Sequence, residues 1–332
     1  MTARSKTQAQ TRTFWASLTG VGLLLLALAL PVRAAEDCPP QAQMPTPQQL
    51  SSGLREARDR GLLWRLEKDG QVGWLYGTLH VGRPDWAFPG PTLIRALRAA
   101  DTVALEIDPT DPALLQALQA FGAASDPAAE PLLTPDMAAR LAALAQAACV
   151  QGPAFNNLHP VLQLTSLMVL SARRQGLDPA FGQEHALAGF AKTAGKRMVA
   201  LETAQQQLAA LLPADPRQAR DMLDRGLTLL SNRQSGAMLL TLAEAWAQGD
   251  LQRLASYAQW CDCMHTDADR DQLRRVNDER NPAMADAITA QLAQGRRVFA
   301  AVGALHLTGP AALPLLMAQR GYRVQRIRFA PL

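Results

Sequence analysis

Two short units hold the residue types that could do chemistry. The apolar run Trp74-Leu75-Tyr76 stops at Gly77, and Thr78, Leu79 and His80 follow. Near the other end, the apolar run from Val298 to Val302 meets Gly303, and Ala304, Leu305 and His306 follow. The chain has only five histidines, and two of them close Gly-x-x-His units 226 residues apart. Glu106 stands in the otherwise apolar run Thr102 to Ile107. A glutamate in a buried strand needs a cation or a dense set of hydrogen bonds. Two imidazoles and a carboxylate suit zinc, manganese or cobalt. Such a metal would polarise a carbonyl and lower the pKa of a bound water. The same residues also allow a metal-free centre, with His80 as general base and Glu106 orienting it. Asp108, two residues beyond Glu106, shares its pleat face but falls in the loop that follows. A lone histidine is more often a helix cap or a satisfied polar group, so the repeat and Glu106 together carry the reading.

Elements of a particular kind must position these groups. Leu62 to Leu66 reads as a strand, Asp69-Gly70 as a hairpin turn, and Val72 to Tyr76 as the return strand. Pro91 opens a helix to Ala100, and Thr102 to Ile107 reads as a buried strand. At the far end, 297–302 reads as a strand, 310–320 as a helix and 322–329 as an alternating strand. Both ends therefore follow one plan: strand, Gly-x-x-His, helix, strand. The expected fold is α/β, a central mixed sheet built from these two units with a large, mostly helical middle region. That region, about 112–295, reads as some seven helices punctuated by prolines, with one short strand at Arg197 to Leu201. In open α/β sheets ligands gather beyond the carboxyl ends of the strands. Each glycine is read as a break that turns the chain there, so that the imidazole projects over the rim.

The 332 residues allow one large domain, and 48% hydrophobic residues make a sizeable core affordable. Residues 1–34 read as a signal peptide. Arg4, Lys6 and Arg12 form a basic start, Gly20 to Leu30 an apolar stretch, and Val32-Arg33-Ala34 a cleavage site. The expected location is periplasmic or secreted; the alternative is an inner-membrane anchor, since Phe14 to Leu30 is at the short limit for a span. Residues 35–52, rich in Pro and Gln, read as a loose mature N-terminus, and 53–332 as a single domain. The leader holds four Lys/Arg and no acid, so the +4 net charge of the whole chain leaves 4 − 4 = 0 on residues 35–332. Nothing in this balance supports a nucleic-acid partner, and membrane contact is expected only through an uncleaved leader. No His-Glu-x-x-His, Gly-x-Ser-x-Gly or Walker A stretch is present, which removes support from those enzyme classes.

The cysteines are Cys38, Cys149, Cys261 and Cys263. An even number in an exported chain favours disulfides, with three connectivities open. The competing reading is a metal site in Trp260-Cys261-Asp262-Cys263-Met264-His265. Three ligands on one short segment fit a structural zinc poorly.

The motifs together resemble the TraB/GumN family. Tyr76-Gly77-Thr78-Leu79-His80 and Ala104-Leu105-Glu106-Ile107-Asp108 resemble its start. Gly195-Lys196, Leu201-Glu202-Thr203 and Gln207 are similar to its middle motif. Arg280-Asn281, Val302-Gly303-Ala304-Leu305-His306-Leu307 and Gly321-Tyr322 resemble its C-terminal motif. The resemblance spans about residues 60–329. The family includes the animal Tiki metal-dependent proteases and is distantly similar to erythromycin esterases and ChaN-type haem-binding lipoproteins. It implies that His80, Glu106 and His306 form the active or metal centre. It further implies that Arg280 orients a carboxylate or stabilises an oxyanion, where its neighbours alone suggest a surface pair with Asp278 or Glu279. Glu202 is a second-tier candidate. Where the family pattern leads one to expect Gly-x-Asp, this chain has Gly182-Gln183-Glu184; Glu184 and His185 otherwise read as a polar helix face. His159, before Pro160, reads as a cap.

The functional expectation is an exported hydrolase acting on an amide or peptide bond, its metal held by His80, Glu106 and His306. Peptide or small-molecule substrates are the expected partners. The alternative is a non-catalytic envelope protein that binds a peptide or haem or acts as a scaffold. An aromatic content of 5% speaks mildly against a haem pocket.

Overall fold

Asp69 and Gly70 lie between two extended runs, and both adopt left-handed backbone, φ 49° and 78°. A two-residue turn of that kind matches the natural twist of a strand pair, so β1 (Leu62–Lys68) folds back on β2 (Gln71–Thr78) with Lys68 opposite Gln71. Four further strands follow: β3 (Thr102–Leu105), β4 (Arg197–Ala200), β5 (Val298–Gly303) and β6 (Arg323–Ile327). The structure, a computed structural model, is described for residues 38–43, 45–109, 111–123, 132–213 and 215–330. The expected leader, 1–34, lies outside the described residues. Among those residues no helix is long and apolar enough to cross a membrane.

The strands form one mixed sheet in the order β4-β3-β5-β2-β1-β6. The first four are mutually parallel, while β1 runs antiparallel to both β2 and β6. β5 lies inside the parallel half. Val298, Phe299, Ala300, Ala301 and Val302 are all buried, the continuous apolar pattern of a strand covered on both faces. The helix Asn281–Ala293 inserts Met284, Ala285, Ile288 and Leu292 into the core around the sheet, and Pro91–Ala99 inserts Leu93, Ala96 and Leu97.

The middle region is divided more finely than expected. Twelve α-helices run from Pro112–Ala123 to Asn281–Ala293 among the described residues, rather than about seven. Many start on a proline, including Pro135–Ala147, Pro153–Asn156, Pro160–Leu170 and Pro216–Ser231. Proline suits the first helical position, where no N–H is needed, so prolines that punctuate the sequence mark starts of separate short helices. The short strand expected near Arg197 is present as β4 and forms the sheet edge. A second core does lie apart from the sheet, built from Met137, Leu141, Leu164, Leu167, Leu223 and Leu227 of three of these helices.

The mature N-terminus, expected to be loose, contains the helix Pro47–Glu56, opened by a Thr46–Gln49 capping box. Upstream of it Cys38 is joined to Cys149, a closure of 111 residues. Such a loop is worth about 4–5 kcal/mol in the chain-entropy account. The second disulfide joins Cys261 to Cys263. Two disulfides fit an oxidising, extracytoplasmic location.

Candidate active site

The four parallel strands end at one rim, and each delivers a titratable side chain just beyond its last residues. Across the sheet β4 leads to Glu202, β3 to Glu106, β5 to His306 and β2 to His80. Backbone pairing continues past two of these ends: Leu201 donates to the Leu105 carbonyl at 2.8 Å and Glu202 to that of Glu106 at 3.0 Å. Two carboxylates are thereby set side by side and need a cation.

Arg280 supplies it. It lies in the turn Asp278–Arg280 that leads into the helix Asn281–Ala293. Nη2 donates to Glu106 Oε2 at 2.5 Å and also to Glu202 Oε1, and Nε donates to Glu202 Oε2 at 3.0 Å. Nη1 donates to the Val276 carbonyl at 2.7 Å and faces His306 Nε2 at 3.4 Å. A guanidinium has five N–H groups, and all five are engaged. Arg280 therefore orients carboxylates and has no donor left for an oxyanion. The surface pair suggested by its neighbours does not form, because Glu279 pairs with Arg274. Gln207 bridges the two carboxylates from its amide nitrogen, at 3.0 Å to Glu106 and 3.3 Å to Glu202.

Glu106 also accepts the Gly303 N–H on Oε1 at 2.6 Å. Burial pushes its carboxyl up, but His306, Arg280, His80 and the Gly303 amide outweigh that and bring it to about 2. Glu106 is thus ionised, and at neutral pH it is too weak a base to take a proton from water. Asp108 lies in the turn beyond, where its carbonyl accepts from Asp111.

The twin histidines have opposite surroundings. His306 is 4% exposed, and its Nδ1 lies 2.6 Å from Asn281 Oδ1. Asn281, itself fully buried, spends its Nδ2 on the carbonyls of His306 and Ala311. Its Oδ1 must then accept, so His306 holds its proton on Nδ1 and presents a lone pair at Nε2. Burial, helped by Arg280, depresses this imidazole to about 4, so it is neutral at pH 7.

His80 has an open side chain, 68% exposed, with Nδ1 3.2 Å from Glu184 Oε1. The Glu184 carboxylate raises it above the ordinary 6.5, although water over the ring screens part of that attraction. Glu184 belongs to the first turn of the helix Gln183–Thr193. Burial pushes its carboxyl up, yet the charge of His80 holds it below the ordinary range. Gln183 fixes this helix to the histidine segment: its Oε1 accepts the Leu79 N–H at 2.8 Å, and its own N–H donates to the Leu79 carbonyl. The orienting carboxylate of His80 is therefore Glu184, at the position of the expected aspartate, and not Glu106. His185 is exposed. His159 caps Pro160–Leu170 through Nδ1.

Gly303 ends β5 and leads into the turn Ala304–Leu307, but neither Gly77 nor Gly303 adopts the left-handed backbone that a glycine turn would use. Gly77 lies within β2, and a Cβ there would come within 3.0 Å of Leu307 and 3.1 Å of Ala304. At Gly303 a Cβ would press on Glu106 Oε1 at 3.2 Å. At both positions other groups approach closely enough that an added Cβ would press on them. Trp246 adds to this packing and donates from Nε1 to the Gly77 carbonyl at 2.7 Å.

The metal expectation meets a donor set that does not fit it. Among the described residues no three His, Cys, Asp or Glu side chains are grouped so as to hold a metal ion. His306 Nε2 and Glu106 Oε1 are 3.7 Å apart, but the cation already beside them is Arg280. His80 follows β2, two strand spacings from β3, roughly 10 Å of sheet.

The chain belongs to the TraB/PrgY/gumN family, whose model matches residues 62–326. It is 28% identical over 261 residues to YbaP of Escherichia coli (strain K12), covering 73% of this chain and 86% of YbaP. YbaP of Shigella flexneri matches to the same extent. No solved structure matches.

Proposed function

We propose that the chain is an exported hydrolase that cleaves an amide or peptide bond with His80 as general base. The observation that carries this reading is the His80–Glu184 pair at the open rim. Glu184 engages Nδ1, which leaves Nε2 for a water molecule. Nε2 takes a proton from that water as its oxygen adds to the carbonyl carbon. The C–N bond then breaks, and the imidazolium returns the proton to the departing amine. The Glu106–Arg280–Glu202 cluster holds the strand ends in place beneath the reaction. Residues 1–34 and the two disulfides support export.

The test is the mature chain on a quenched-fluorescent peptide library. Cleavage should vanish in His80→Ala and survive chelators. The rate should rise with pH through a pKa above 6.5, and Glu184→Gln should move that limb to lower pH. Activity retained in His80→Ala, or lost to chelation and restored by Mn²⁺, Co²⁺ or Zn²⁺, overturns the reading. A second reading has support in the complete internal satisfaction of Arg280: the cluster is structural and the rim captures peptides without chemistry. Saturable peptide binding with no turnover would select it.

A further inference from the structure

The segment from Trp260 to His265 has no part in the rim chemistry. It joins the helices Tyr257–Trp260 and Asp267–Val276. The disulfide inside it closes over a single intervening residue. A loop that small removes little chain entropy from the unfolded state, so stability is a poor reason for its presence. The surroundings supply a better one. Met238, half-buried on the helix Gln234–Ala247, places its thioether sulfur 3.5 Å from Cys261 Sγ. Cys261 is 6% exposed and Cys263 half-buried, with the Tyr257 hydroxyl 3.5 Å from Cys263 Sγ. Three sulfurs thus gather, one buried and two half-buried. His265 points elsewhere, its Nε2 at 3.2 Å from Asp262.

We propose that this segment is a redox-gated site for monovalent copper, formed by Cys261, Cys263 and Met238 once the disulfide is opened. The reductant is a dithiol. It gives two electrons and two protons to the Cys261–Cys263 bond and is left as a disulfide itself. Copper binding then displaces both thiol protons, and two thiolates and the thioether bond to the ion. Thiolate with thioether is a soft set that selects Cu(I), whereas zinc takes four thiolate or imidazole ligands in a tetrahedron. In the oxidised chain no thiolate exists, so the site is closed.

The experiment is anaerobic competition between the fully reduced chain and the chromophoric Cu(I) chelator bicinchoninate. One Cu(I) per chain should be withdrawn from the chelator by the reduced protein and none by the oxidised protein. Cys261→Ser/Cys263→Ser should lose the copper while keeping its circular dichroism, and its intact Cys38 and Cys149 control for stray thiols. Met238→Leu, close in volume, should weaken binding about 10-fold. Copper retained by the double serine variant, no competition by the reduced wild type, or tighter binding of Zn²⁺ than of Cu(I) would each overturn the proposal. An unchanged affinity in Met238→Leu would remove the third ligand and with it the argument for copper.

Discussion

The two Gly-x-x-His units share their spacing and their place at the end of a parallel strand, yet their histidines are opposites. His306 follows β5, which lies between β3 and β2. Its ring is buried under Arg280 and Asn281 and stays neutral. His80 follows β2 and meets a helix N-terminus that offers one carboxylate and otherwise open water. The motif therefore fixes where an imidazole sits along the strand. Its protonation state comes from what the rest of the chain packs around it.

The comparison breaks most visibly at the buried end. Arg280→Met leaves Glu106 and Glu202 together without a cation, and removing one partner of a buried ion pair costs about 3–5 kcal/mol. Urea unfolding should show a loss of that size; a midpoint close to wild type would mean that the carboxylates are not paired as described. His306 should next make the fold acid-sensitive. The unfolded imidazole takes a proton near 6.5, while the folded one refuses it until about 4. The stabilisation is present above pH 6.5 and is lost as pH falls towards 4, at most roughly 3 kcal/mol at 1.36 kcal/mol per pH unit. His306→Gln should flatten that slope in a series of melts. Gly77→Ala should cost about 1–3 kcal/mol by overpacking against Leu307 and Ala304, readable as a lowered Tm. The smallest effect belongs to His80. Its pKa is raised, so its contribution is present below pH 6.5 and is lost as pH rises through the folded value. For so exposed a pair this amounts to less than ~1 kcal/mol. His80→Ala should melt almost like wild type while losing turnover.

Much of this was legible in the residues. The Asp69-Gly70 turn, the strands on either side of it and the twin units at strand ends follow from local patterning, which acts through near neighbours. Glu106 stood out because an acid in an apolar run demands partners. Those partners were not legible as partners. Arg280 lies 174 residues from Glu106, and the acids next to it in sequence offer an equally plausible local pair. Glu184 read as surface because the helix pattern alone does not show that its first turn abuts His80. Asn281 was visible beside Arg280, but its role depends on two backbone carbonyls that only the fold brings within reach. The crowding at the two glycines was also hidden for a tertiary reason, since the groups that press on a Cβ there come from Leu307, Ala304 and Glu106. The short helices of the middle region do not separate in the sequence because their Ala- and Leu-rich composition continues across their boundaries.

The central claim is that the twin histidines carry opposite shifts, and it can be tested without a substrate. A pH titration of the ¹³C/¹⁵N-histidine-labelled chain, with His80→Gln and His306→Gln for assignment, reads both rings directly. His80 should titrate above 6.5 and fall towards that value in Glu184→Gln. His306 should keep its proton on Nδ1 and remain neutral well below pH 6. Both rings titrating together near 6.5, or His306 charging before His80 as the pH is lowered, would contradict the account.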